Sequence, residues 1–114
     1  MNMNLNLVKT FTDSSFRSCT KIKWIYSSQV ESITGPCFAD CSNLTALVIA
    51  SNTVAKLNAS NAFVRTPIAD GTGYIYVKDE LIEQYKEATN WSAHAAQIKG
   101  LSELPEEVKT EINI

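Results

Sequence analysis

Six apolar or cysteine positions recur in this chain at a spacing of 22 residues. Val8, Phe11, Phe16, Cys19, Ile22 and Ile25 are followed by Val30, Ile33, Phe38, Cys41, Leu44 and Leu47. A third, looser copy runs through Val54, Leu57 and Phe63, with one extra residue before the phenylalanine. A period in the twenties specifies short supersecondary units. Each is too small to bury its own apolar face, so it must stack on its neighbours.

The pattern inside each unit predicts the elements. Met3, Leu5 and Leu7 alternate with Asn4 and Asn6, which reads as a strand over residues 3–8. The repeat offset aligns Met3 with Ile25 and Leu47, and Leu5 with Ser27 and Ile49. The first unit therefore begins at its strand, without the turn that precedes it elsewhere, and leaves an unpaired edge. Residues 15–20 and 37–42 place Phe and Cys three apart, as one helical or 3₁₀ turn would. Residues 22–26 and 44–49 are rich in β-branched and aromatic side chains and read as strands, with short second strands at 30–33 and 54–57. Equivalent strands at a fixed pitch imply parallel pairing in register.

After Phe63 the repeat ends. Thr66 to Gly73 is turn-rich, and Tyr74 to Val77 reads as the last strand. Asp79 suits a helix N-cap, with Glu80 and Glu83 in the first turn and an apolar stripe of Leu81, Ile82, Tyr85 and Ala88. Ser92 starts a second short helix over 93–98, closed by Gly100. The expected organisation is one domain: a solenoid over 1–77, a helical cap over 78–104, and an acidic tail over 105–114 that is frayed or marginally helical.

The unit Phe-x-x-Cys-x-x-Leu-x-x-Leu-x-Ile, seen from Phe38 to Ile49, resembles the BspA-like leucine-rich repeats of bacterial surface proteins and phage-encoded proteins. The block Asn61-Ala62-Phe63, Thr66-Pro67-Ile68, Gly71 to Val77, Tyr85-Lys86 and Ala88 to Trp91 resembles the terminal unit and cap of such arrays. The likeness covers roughly residues 5–104; Lys78 departs from it where the family often has proline, and family members usually carry more repeats. The resemblance implies a short leucine-rich-repeat solenoid of the α/β class with parallel strands and a C-terminal helical cap. It implies binding or adhesion rather than catalysis, with no cofactor.

Composition excludes several classes. A net charge of −2, with 10 basic and 12 acidic residues and no Lys/Arg run, argues against nucleic acid and anionic membrane surfaces as partners. No apolar stretch approaches membrane-helix length, and the N-terminal residues lack a signal-peptide pattern, so a cytoplasmic or virion-associated location is expected over secretion. The three cysteines match no zinc spacing, and Cys19 and Cys41, at equivalent positions, are expected to stack as small core residues. His94 has no Ser, Cys or acid at a motif spacing and is expected to lie on the surface or pack in the cap, and Trp91 is expected in the cap core. Glu80, Glu83 and Glu87 read as a solvated helix face, and Gly71-Thr72-Gly73 as a turn.

Two candidate sites remain. Alternation places Ile22, Trp24 and Tyr26 on one strand face and Lys23 and Ile25 on the other. With Ile25 in the core, Trp24 points outward, and Lys23, Trp24, Tyr26 and Thr45 form a candidate surface for a protein or glycan. The alternative is the edge strand itself. Met3, Leu5 and Leu7 would pair with a second copy or another protein, as in an assembly component or a small phage-encoded inhibitor.

Overall fold

The computed structural model describes residues 3–5, 8–12 and 16–112, with Met3 and Asn4 described by their backbone alone. The chain is an α/β fold built on two parallel sheets. Strands β1 (Met3–Asn4), β3 (Trp24–Ser27), β5 (Ala46–Ile49), β7 (Tyr74–Val77) and β8 (Ile98–Gly100) form a five-stranded sheet in that order. Strands β2 (Thr10–Phe11), β4 (Ser32–Ile33) and β6 (Lys56–Leu57) form a three-stranded sheet. Pairing follows the sequence offset: Met3 faces Ile25, Ile25 faces Leu47, Ser27 faces Ile49 and Phe11 faces Ile33. The longer step from Ala46 to its partner Tyr74 accommodates helix α1 (Pro67–Asp70).

The corner between the sheets is held by buried hydroxyls. Ser27 Oγ accepts from the Val30 N–H at 3.1 Å and donates to the Val8 carbonyl at 3.3 Å. Ser51 Oγ donates to the Val30 carbonyl at 2.9 Å. Backbone groups that leave one strand and have not yet joined the next thus find partners inside the protein.

The compact segments on the third side also stack. Ser18, Asp40 and Arg65 all have positive φ, at 62°, 64° and 59°, each two residues after Phe16, Phe38 and Phe63. Between these turns the Phe16 N–H donates to the Cys37 carbonyl at 3.1 Å and the Phe38 N–H to the Ala62 carbonyl at 3.0 Å. Arg65 and Asp40 form a two-point ion pair between neighbouring turns. Inside, the rings of Phe16, Phe38 and Phe63 form a column, with centroids 5.6 and 5.4 Å apart and planes within 7° of parallel. Phe11 meets both Phe16 and Phe38 edge-on. None of the three cysteines is in a disulfide; Cys41 is fully buried and Cys19 half-buried, and the Cys41 thiol donates to the Phe16 carbonyl at 2.8 Å.

The C-terminal part closes one end of this core. Thr66 caps α1, accepting from the Ala69 N–H at 3.3 Å, with Pro67 at the first helical position. Gly73 is required where the chain turns back: a Cβ there would lie 2.9 Å from the Ile68 nitrogen. Leu81, Ile82, Tyr85 and Ala88, from a 3₁₀ turn at Asp79–Leu81 and helix α2 (Ile82–Glu87), pack on the core as the stripe predicts. Three cap side chains then close the outer edge of β6. The Ala55 N–H donates to the Tyr85 hydroxyl at 3.0 Å, the Trp91 indole donates to the Ala55 carbonyl at 2.7 Å, and Asn90 donates to the Leu57 carbonyl at 2.7 Å.

Two expectations are corrected here. Asp79 is no helix cap; it lies within the 3₁₀ turn, and its carboxylate accepts from the Ser102 N–H at 3.3 Å. The expected helix over 93–98 is instead a 3₁₀ segment at Ser92–Gln97, broken at His94, followed by strand β8. The open edge of β7 explains this: pairing Ile98 with Ile75 and Gly100 with Val77 satisfies a row of backbone groups that a longer helix would leave bare. Gly100 also admits the close approach of the Asp79 carboxylate, into which a Cβ would run. Of the two states expected for the acidic segment, frayed or marginally helical, the structure shows the second: helix α3 (Glu106–Ile112), whose Ile112 is buried.

Phe38 touches a ring on both sides and is fully buried, whereas Phe16 has only one stacked neighbour and is half-buried. Phe38→Ala is expected to cost about 3–5 kcal/mol. Phe16→Ala should cost about 1–2 kcal/mol. Urea unfolding of the two variants checks this, and equal losses would show that the column does not act as a packed stack.

Candidate functional site

The strand phase starts later than the sequence suggests. Ile22 lies in the preceding turn, where its N–H donates to the Cys19 carbonyl at 3.2 Å, and its side chain joins Ile25 in the core. Alternation then runs from Trp24: Ile25 and Ser27 face inward, and Trp24 and Tyr26 face outward. The outward direction of Trp24 holds; its grouping with Ile22 does not.

The outer face of the five-stranded sheet is a trough. Register places Ala46 between Trp24 and Tyr74, and Val48 between Tyr26 and Tyr76. Small side chains on the central strand are thus flanked by aromatic ones on both sides. Lys99 follows Tyr76 on β8, and its ammonium sits 4.2 Å from the centroid of the Tyr74 ring.

The chain covers this trough itself. After β8, a 3₁₀ turn (Leu101–Glu103) leads through Leu104 and Pro105 into α3. Leu101, Leu104, Val108 and Ile112 pack on the outer face, and the Trp24 indole N–H donates to Glu111 Oε1 at 3.1 Å. Trp24 is only 7% exposed, Ala46 5% and Tyr76 5%. Burial also pushes the Tyr76 phenol above its ordinary pKa.

The expected surface of Lys23, Trp24, Tyr26 and Thr45 is therefore split. Trp24 is not an exposed anchor, because α3 lies over it. Lys23 and Thr45 are exposed and adjacent: the Thr45 N–H and hydroxyl both donate to the Lys23 carbonyl, at 2.9 and 3.3 Å. Tyr26 is half-buried at the margin of the covered patch. Of the edge-pairing residues, Met3 pairs with Ile25 through its backbone. Leu5 donates its N–H to the Tyr26 carbonyl at 2.7 Å and leans half-buried on the core. Leu7 lies outside the described residues.

Sequence reasoning missed Tyr74, Tyr76 and α3 as parts of this face. The signal for α3 was present: Leu104, Val108 and Ile112 are spaced by four, with Pro105 and two acidic residues at the helix start. Its shortness and acidity read as a tail.

Elsewhere, a groove of about 460 Å³ lies between residues 54–58 and residues 88–91. Its polar backbone is largely occupied by Tyr85, Asn90 and Trp91. Among the described residues, no group of three or more His, Cys, Asp or Glu side chains is placed to hold a metal ion. No helix among the described residues is long and apolar enough to cross a membrane. Compared with family models, curated proteins and solved structures, the chain matches none.

His94 packs edge-on against Phe63 at 5.1 Å, ending the phenylalanine column, and this burial holds its pKa below the ordinary 6.5. The native state thus binds its proton less readily than the unfolded chain does. Its stabilising contribution is complete above pH 6.5 and is lost as the pH falls from there through the lower native value. Chemical denaturation at pH 7.5 and 5.0 should show this loss, and His94→Gln should reduce it; an unchanged pH dependence in the variant would place its origin elsewhere.

Proposed function

We propose that the chain is a short leucine-rich-repeat array acting as a non-catalytic protein-binding module, with its partner engaging the outer face of the five-stranded sheet. One observation carries this reading. The outer face holds a second apolar cluster, separate from the core, with aromatic ridges on either side of small residues. Stability needs one core, and a face so rich in Trp and Tyr has the composition of binding hot spots. Its exposed margin carries Lys23, Thr45 and the rim of Tyr26, which would meet the partner first. The 22-residue register supports the repeat assignment, and the resemblance of the Phe38–Ile49 unit to BspA-like repeats points to binding.

The margin can be altered without touching the core. The double variant Lys23→Glu/Tyr26→Ala should keep its thermal unfolding midpoint within a few degrees of the original. It should lose at least tenfold in affinity for the protein that the unaltered chain retains from an extract of its source organism. Retention of the same proteins by both chains would remove the outer face from the function.

A second reading has its own observation. β1 ends the five-stranded sheet, and among the described residues no strand pairs with its outer edge. Such an edge can add a strand from a second copy or from another protein, giving an assembly role. Light scattering across a wide concentration range should then show a dimer or larger species that Leu5→Asp dissociates. A concentration-independent monomer ends this reading.

A further inference from the structure

We infer that the trough on the outer sheet face is a helix-binding groove, that α3 is its built-in occupant, and that the partner presents an acidic amphipathic helix of the same pattern. The inference rests on the interaction-module reading and names its partner class.

The pattern can be read from what already fills the groove. Val108 and Ile112 lie on one face of α3, four residues apart, and together with Leu104, extended just before the helix, they pack in one cluster with Trp24, Ala46, Val48 and Tyr76. Beside Ile112, Glu111 accepts from the Trp24 indole. Glu106 and Glu107 open the helix and are exposed, as is Glu111. At the β8 side of the face the Lys99 ammonium lies 4.2 Å from the centroid of the Tyr74 ring. The groove therefore specifies two apolar residues at i and i+4 of a helix, with a further apolar residue in the extended segment leading into it. An acidic residue immediately before the second of the helical pair serves as acceptor for the indole.

The occupant is built to be exchangeable. Among the described residues α3 spans seven, well below the length at which a helix is stable alone in water, so the helicity of this segment depends on docking. It joins the sheet through Leu104 and Pro105 and, among the described residues, brings Val108, Ile112 and Glu111 onto the face. The short connection gives α3 an effective concentration on the order of millimolar, so a free helix of equal fit competes poorly unless it is longer or better matched. α3 thus sets a threshold that weak, non-cognate helices do not cross.

The test uses the full chain and a fluorescein-labelled synthetic peptide of residues 101–112. Val108→Asp/Ile112→Asp should release α3 while the core, which shares no residue with this cluster, stays folded. Fluorescence anisotropy should show the peptide binding this variant at least tenfold tighter than the unaltered chain. Adding Ala46→Arg should abolish that binding, as should placing the same two aspartates in the peptide. If the aspartate variant loses cooperative thermal unfolding, Val108→Ala/Ile112→Ala carries the same comparison. A folded released variant with no advantage over the unaltered chain overturns the proposal, as does unfolding of both variants, since the groove then cannot be vacated. Self-association that disappears on releasing α3 assigns the face to a second copy and also overturns it. None of these outcomes depends on Lys23 or Tyr26, so failure here is distinguishable from failure of the module reading, which is decided by the Lys23→Glu/Tyr26→Ala comparison.

Discussion

The stacked rings of Phe16, Phe38 and Phe63 fix how the units of this chain can sit on one another. Their centroids lie 5.6 and 5.4 Å apart, somewhat more than the usual parallel-strand spacing of about 4.8 Å. Strands and rings therefore advance nearly together, and the turns that carry the rings must repeat as faithfully as the strands do. They do so through the same positive-φ residue two places after each phenylalanine, at Ser18, Asp40 and Arg65, and through backbone hydrogen bonds from turn to turn. The extra residue before Phe63 is absorbed between β6 and the ring, where no ladder constrains the backbone, so the column continues without a break. A column of like rings cannot end on itself. Trp91, tilted at 6.0 Å, and His94, edge-on at 5.1 Å, end it with a larger surface, and the same cap residues close the edge of β6.

The register of β1, β3 and β5, and of β2, β4 and β6, was legible because it follows the recurring sequence positions. The offset that aligned Met3 with Ile25 and Leu47 is the pairing the strands adopt. The core was legible for the same reason: Ile25, Leu47, Phe38 and Cys41 are buried because each has an equivalent above or below it. What failed lay where local pattern and tertiary pairing disagree. Ile22 looked in phase with Trp24, but the strand starts only at Trp24, so Ile22 turns inward. Ile98 to Gly100 carries too few residues to announce a strand, and the open edge of β7 makes it one. The outward direction of Trp24 could be read from alternation. What covers it could not, since Glu111 lies 87 residues away and no repeat links the two.

The two faces of the five-stranded sheet answer to different demands. The inner face is filled in register by Ile25, Leu47 and Ile75 and by Ser27, Ile49 and Val77, which pack into the core. The outer face differs at each strand, with Trp24 and Tyr26, then Ala46 and Val48, then Tyr74 and Tyr76. The outer-face side chains form a cluster that shares no residue with the core, so they are free to be chosen for something else.

That freedom carries a cost which α3 offsets. An uncovered trough with two ridges of aromatic side chains would be a patch prone to non-specific association. Covering it with a helix from the same chain removes the patch from solvent, and the Glu111–Trp24 hydrogen bond satisfies a donor that burial would otherwise leave unpaired. The cover and the site are then coupled: every contact that holds α3 in place raises the affinity a competing helix must supply. A longer or more apolar α3 would protect the face better and silence it. The seven described residues of α3, with few side chains on the face and several carboxylates in water, are what the proposed exchange for a better-matched helix depends on.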